Sequence, residues 1–299
     1  MRFAAWFGVR PSWSFVLASF ALGACQGTPE KVSLGAWSAS GPWCGTEGTP
    51  EAVNSAGSTI GVTVPHTDWT WPASLSSLEW DLAVESELKQ DGYMWTHQFA
   101  FTGGAVGFLG LQARGGYQAD PPDGSLEITN MIVFWVSSSP KRAELGDVAY
   151  PDARTYLQLD HGLQWWTIHA KYPFKTCSPY HLTVALESKD SSGDVWYGAW
   201  VRDLAGGTPQ VFVGRILVPA AWGPLLPSSS MWSNRIGYTK LTSCKSAESA
   251  SAVFGFPTAN GSLQPTSQVN RFATPLACDS SRFTALPGAV RQEFWPEKQ

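Results

Sequence analysis

Sixteen tryptophans in 299 residues are the outstanding chemical endowment of this chain. Several stand in pairs: Trp69 and Trp71, Trp165 and Trp166, Trp196 and Trp200. A flat indole with a single N–H suits a sugar ring, whose C–H faces are apolar and whose hydroxyls need hydrogen bonds. The competing use is packing in a β core, since tryptophan is highly buried on average. On a strand, Trp165 and Trp166 must point to opposite faces, so one of them leaves the core. Asp68-Trp-Thr-Trp-Pro72 reads as a loop, where an exposed aromatic is available to a ligand. These six tryptophans are the expected ligand-binding residues. The expected partner is a carbohydrate or cell-surface glycan.

Carboxylates and histidines offer the alternative chemistry. A glycosidase needs two acids facing each other across the bond, about 5 to 10 Å apart. Glu79, Asp81 and Glu85 alternate along one segment, and alternate strand residues lie about 6.5 Å apart. Glu127 and Glu187 are further strand carboxylates. The competing reading of such a row is a solvated outer face. Among His66, His97, His161, His169 and His181, none has the spacing of a metal-ligand motif. His169 and Lys171 would share a strand face. A polysaccharide lyase could set that histidine beside Tyr172, with Arg114 or Arg202 neutralising a uronate. No G-x-S-x-G, P-loop or dinucleotide fingerprint occurs. No metal and no cofactor are expected.

The N-terminus gives the compartment. Arg2 and Arg10 precede the apolar run Trp13–Ala24, which ends in small residues, as a secretory signal does. The run is too short for a stable membrane helix. Leu22-Gly-Ala-Cys25 resembles a bacterial lipobox, with Cys25 as the lipidated residue and Gln26 as a residue permitting outer-membrane sorting. Lipid is then the expected membrane anchor. Cys44, Cys177, Cys244 and Cys278 remain, an even number for an oxidising compartment. Four cysteines allow three pairings. The Pro- and Gly-rich C-terminal segment favours Cys244–Cys278, which leaves Cys44–Cys177. No C-x-x-C spacing supports zinc. A net charge of −4 with 15% charged residues argues against a nucleic-acid surface.

The elements that must hold these residues are strands. In Leu78–Glu85, Leu78, Trp80, Leu82 and Val84 share one face while Glu79, Asp81 and Glu85 share the other with Ala83. That is the period-2 pattern of a half-buried strand. Further strands are expected at Tyr93–Phe101, Val106–Ala113, Asn130–Ser137, Trp165–Lys171, His181–Lys189, Val195–Leu204 and Gln210–Val218. Between several of them lie turn signals such as Thr102-Gly-Gly104 and Ser191-Ser-Gly-Asp194. His181–Val218 reads as an antiparallel meander.

Gly92-Tyr-Met-Trp95, Gly107-Phe-Leu-Gly-Leu-Gln112, Ile132-Val-Phe-Trp135 and Trp196-Tyr-Gly-Ala-Trp200 occur in that order. Through them the span Gly92–Gly223 resembles a large family of secreted bacterial proteins known as a domain of unknown function. The resemblance implies an all-β extracellular module of the kind found near carbohydrate-active domains. It carries no catalytic residue across.

These readings predict an all-β chain: an antiparallel β-sandwich of jelly-roll or concanavalin-like type. Residues 1–24 are the expected signal peptide, 25–49 a tether and 50–223 the sandwich. Residues 224–299 are expected to pack on it. The expected function is carbohydrate or surface recognition by a monomer. A glycan-cleaving enzyme and a structural envelope protein are the alternatives.

Overall fold

The computed structural model describes residues 44–54, 64–118, 126–146, 149–160, 163–235, 248–272 and 279–296. They form the expected antiparallel sandwich of two sheets. The first is ten-stranded. Its path is β1 (Thr49–Asn54), β17 (Asp279–Leu286), β18 (Ala289–Pro296), β14 (Ala250–Gly255), β3 (Ser77–Val84), β10 (Pro179–Lys189), β11 (Val195–Asp203), β12 (Val211–Val218) and β7 (Arg142–Glu144), with β15 (Thr258–Ala259) beside β3. The second is eight-stranded. It runs β16 (Ser267–Phe272), β2 (Pro65–Thr70), β13 (Leu225–Arg235), β4 (Tyr93–Phe101), β5 (Val106–Gln118), β6 (Leu126–Val136), β9 (Leu163–Lys171) and β8 (Ala153–Asp160).

Alternation decides which side chains meet between the sheets. From the first come Leu78, Trp80, Leu82 and Val84 of β3 and Leu182 and Val184 of β10; from the second, Trp95, Phe99 and Phe101 of β4 and Ile132 and Phe134 of β6. Polar groups in this interior are mutually satisfied where they bridge the layers. The Gln292 amide donates to Thr67 Oγ1 at 3.0 Å and to the Met231 carbonyl at 3.1 Å, and accepts from Ser233 Oγ at 2.8 Å. One glutamine of β18 thereby ties the first sheet to β2 and β13 of the second.

The meander β10-β11-β12 is present as expected, with Leu182 opposite Val201 and Tyr197 opposite Ile216. Two expectations need correction. Asp68–Thr70 belongs to strand β2, not to a loop, and Trp69 and Trp71 point inward with Thr67. The period-2 spacing Thr67, Trp69, Trp71 outweighs the turn-forming character of Asp68 and Pro72. The C-terminal third is not laid over a finished sandwich. β13 sits between β2 and β4, and β14 pairs with β3. Its prolines fall mostly between strands, as at Pro257, Pro265 and Pro287; Pro227 falls inside β13 where the pairing with β4 slips.

The expected Cys44–Cys177 disulfide is formed. It fastens the lead-in to β1 onto the turn before β10, within the stretch expected to be a tether. A disulfide of this kind belongs to an oxidising, extracytoplasmic compartment. Cys25, Cys244 and Cys278 lie outside the described residues. Among the described residues no helix is long and apolar enough to cross a membrane.

Candidate ligand-binding face

The register of the eight-stranded sheet sets one row of side chains on its outer face: Trp232, Thr96, Gly110, Val133, His169 and Arg154, each opposite the next. The adjoining row on the same face is Ser230, Gln98, Phe108, Trp135, Thr167 and Tyr156. The outer face of a sandwich sheet is ordinarily polar and wet. Here Met94, Met131, Val133 and Trp232 are nearly as buried as the interior, at 1%, 0%, 4% and 7% exposure. Tyr117, Met131 and Val133 form a hydrophobic cluster apart from the main core, with Phe108 and Trp135 packed against it.

A β-bulge produces this shelter. The β5–β6 pairing slips between Gln112 and Gly115, and Arg114 takes a left-handed φ of 51°. Bulges bend a strand and increase its twist. Tyr117 is registered with Glu127, four residues from Met131, or about 13 Å along a straight strand. Its ring nonetheless belongs to one cluster with Met131, which fits a strand bent at the bulge. The Tyr117 hydroxyl then donates to the Asp152 carbonyl at 2.9 Å, closing the corner. Gly115 stands at the bend, where a Cβ would lie 2.7 Å from the Gln112 side chain and 2.9 Å from Met131.

Across this face runs an unbroken line of rings. His66 stacks on Trp232 at 6.3 Å, Trp232 meets Phe108 edge-on at 5.7 Å, Phe108 stacks on Trp135 at 4.9 Å, and Trp135 meets Trp165 edge-on at 5.9 Å. From β2 to β9 the line crosses five strand spacings, about 24 Å. Trp232 reaches Phe108 over Thr96 and Gly110, the small residues of β4 and β5. Five polar atoms on this face are sealed from solvent and have no hydrogen-bond partner: Trp232 Nε1, Thr96 Oγ1, Thr167 Oγ1, His169 Nδ1 and Arg154 Nε. A buried polar group without a partner costs about 1–3 kcal/mol. Indole N–H groups of Trp69, Trp80 and Trp95 are also unpartnered, but they lie in the interior.

Burial holds the histidines of this face neutral near pH 7. His169, beneath the Tyr156 ring at 4.9 Å, is pushed down to about 4 by burial. His66 is lowered to about 4 by burial and by the Arg271 guanidinium, against the pull of Asp68. Its Nδ1 is 3.0 Å from Ser230 Oγ.

The six tryptophans singled out by pairing do not converge on one site. Trp69, Trp71 and Trp166 face the interior; Trp71 Nε1 donates to Ser229 Oγ at 3.2 Å. They are corrected to core residues, because the hydrophobic gain of a wide interior claims large rings first. Trp196 and Trp200 stand on the outer face of the other sheet. Trp196 is clasped by Arg142 and Arg215 at 4.9 and 4.5 Å, and Trp200 packs on Phe212 at 5.3 Å and over Gly198. Trp165 alone of the six joins the line of rings, and it does point away from Trp166. Trp135, Phe108 and Trp232 are the partners that indole pairing misses.

The alternative constellations are not assembled. Glu79 and Asp81 do share a face, but His181 stands between them, with Nδ1 2.7 Å from Asp81 and Nε2 3.5 Å from Glu79. Burial pulls His181 down, yet the two carboxylates outweigh it and raise it to about 9. Glu85 is held by Arg291 through two hydrogen bonds at 2.8 and 2.9 Å. Glu127 pairs with Lys171 and Glu187 with Arg215. His169 and Lys171 share a face as expected. Tyr172, however, packs inward against Tyr150 and Tyr180, while Arg114 pairs with Asp91 and Arg202 lies on the other sheet. His97 is a core residue, with Nε2 2.8 Å from Ser229 Oγ. His161 lies outside the described residues. A cavity of about 610 Å³ beside the disulfide is lined by Glu85, Arg291, Arg282 and Glu293, whose charges are already paired with one another. Among the described residues no group of His, Cys, Asp and Glu could hold a metal ion.

No family model matches the chain, and no curated protein matches it by sequence. Among solved structures, a scytalido-glutamic peptidase with a transition state analog inhibitor is similar to it. The TM-score is 0.41 at 10% identity, over 80% of this chain and 100% of the peptidase chain. A likeness of that strength bears on neither the architecture nor the activity of the present protein.

Proposed function

We propose that this protein is an extracytoplasmic β-sandwich that binds carbohydrate on the outer face of its eight-stranded sheet. The observation that carries this reading is the sheltered second hydrophobic cluster, with the line of rings from Trp232 to Trp165 across it. Aromatic faces take the C–H surface of a sugar, and a half-buried polar side chain such as Gln98 takes its hydroxyls. Export by Met1–Ala24 and attachment by lipid at Cys25 belong to the same proposal, and loss of palmitate labelling in Cys25→Ser tests the anchor.

Binding of the purified protein to immobilised glycans tests the central reading. Trp135→Ala and Trp165→Ala each weaken binding about tenfold while the melting temperature stays near wild type, since a ring contact contributes about 0.5–1.5 kcal/mol beyond the area it covers. Trp69→Ala instead destabilises the fold by about 3–5 kcal/mol. Glycan binding unaffected by both Trp135→Ala and Trp165→Ala overturns the assignment of the face.

A further inference from the structure

The floor of the ring-lined face carries no charge. Between the two ends of the line of rings stand Thr96, Gln98 and Thr167, with the half-buried His169 beside them and no side chain at all at Gly110. Ionised groups are confined to the margins, and most are spoken for. At the β16–β2 margin Arg271 is bound to Asp68. At the β8–β9 margin Lys171 is bound to Glu127 and lies over the Tyr117 ring at 4.7 Å. Arg154, on edge strand β8, has no ion pair among the described residues, but it shares that margin with Asp152 and donates to the Ala153 carbonyl at 2.8 Å. Each margin therefore balances close to zero.

A charged ligand laid along this floor would give up its hydration without gaining an opposite charge, which is costly in a sheltered site. A ligand with hydroxyls and no charge meets what the floor offers: apolar ring faces and the half-buried Gln98 amide, while the polar atoms of Thr96, Thr167 and Trp232 are sealed from solvent. We infer that the glycan held on this face is a neutral polysaccharide, in an extended stretch running across strands from the Trp232 side to the Trp165 side. The inference rests on the carbohydrate-binding reading and narrows it. It also sets the face apart from uronate elimination, which needs a cation to neutralise the substrate carboxylate, and from acid-pair hydrolysis, since no carboxylate stands among the floor residues.

Titration calorimetry on the disulfide-bonded protein tests this. Mixed-linkage β-glucan, xylan and galactomannan are the neutral probes; polygalacturonate and alginate are the acidic ones. The expected result is binding to at least one neutral polymer, with an affinity that does not change between low and high salt. Gln98→Leu then weakens that binding about two- to tenfold, the cost of one lost neutral hydrogen bond. A preference for the acidic polymers that fades with salt and is lost in Arg154→Gln overturns the inference. If that acidic binding is still lost in Trp135→Ala, the carbohydrate face stands and only its neutrality falls. If no glycan binds, and sedimentation shows a dimer that Trp135→Ala dissolves, the face belongs to a second copy of the chain and both readings fall.

Discussion

At the scale of single residues, His181 shows how a constellation that looks catalytic can be structural. Two carboxylates on β3 and an imidazole on β10 meet because His181 is registered opposite Asp81, with Thr183 opposite Glu79. The result is a three-membered ion cluster on the outer face of the ten-stranded sheet, remote from the ring-lined face. Its effect is on stability. The folded value of about 9 lies above the ordinary histidine value of 6.5. The contribution is therefore fully present below pH 6.5 and is lost as pH rises through about 9. Urea denaturation at pH 6 and at pH 9.5 checks the sign. Wild type is expected to lose about 1–2 kcal/mol over that interval beyond what His181→Gln loses, after allowance for solvent screening. Equal pH slopes in the two proteins would show that the cluster does not form. His169 and His97 run the other way. Their folded values of about 4 and about 3 lie below 6.5, so what they contribute is present above pH 6.5 and is lost on acidification.

At the scale of elements, the ring-lined face depends on how closely β4 and β5 approach. A Cβ on Gly110 would lie 2.1 Å from the Trp95 carbonyl oxygen and 2.6 Å from Thr96 Cα. Gly110→Ala is thus expected to part the two strands and cost about 1–3 kcal/mol by denaturant titration. A variant as stable as wild type would contradict the close approach. The same strands show what alternation reveals and what it hides. Tyr93–Phe101 is legible end to end, because aromatics recur at every second position. β5 was expected to end at Ala113 but continues to Gln118, because the bulge at Arg114 shifts the parity that alternation relies on. Met131-Ile-Val-Phe-Trp135 is apolar at consecutive positions. That pattern announces a strand covered on both sides, but not which residues cover it. Trp135, Phe108 and Trp232 become a set only through the register of β13, β4, β5 and β6, and Trp232 lies 97 positions after Trp135 and 124 after Phe108 in the chain. Paired tryptophans were a poor guide for a physical reason: a broad interior between ten and eight strands needs large rings, and Trp69, Trp71 and Trp166 fill it.

At the scale of the whole molecule, two sheets share the burden unequally. The ten-stranded sheet keeps its charged groups paired on its outer face, with Arg215 between Glu144 and Glu187 and Arg282 against Glu293. The eight-stranded sheet carries a line of rings on its outer face instead. The Cys44–Cys177 bond pins the start of the described chain to the ten-stranded side, away from the ring-lined face. One measurement bears most directly on this division: hydroxyl-radical footprinting of the protein with and without a bound polysaccharide. Protection confined to Trp135, Trp165, Phe108 and Tyr156, with Trp196 and Trp200 labelled equally in both states, is the result expected. Protection of Trp196 and Trp200 with no change at Trp135 and Trp165 would place the ligand on the wrong sheet and contradict the account.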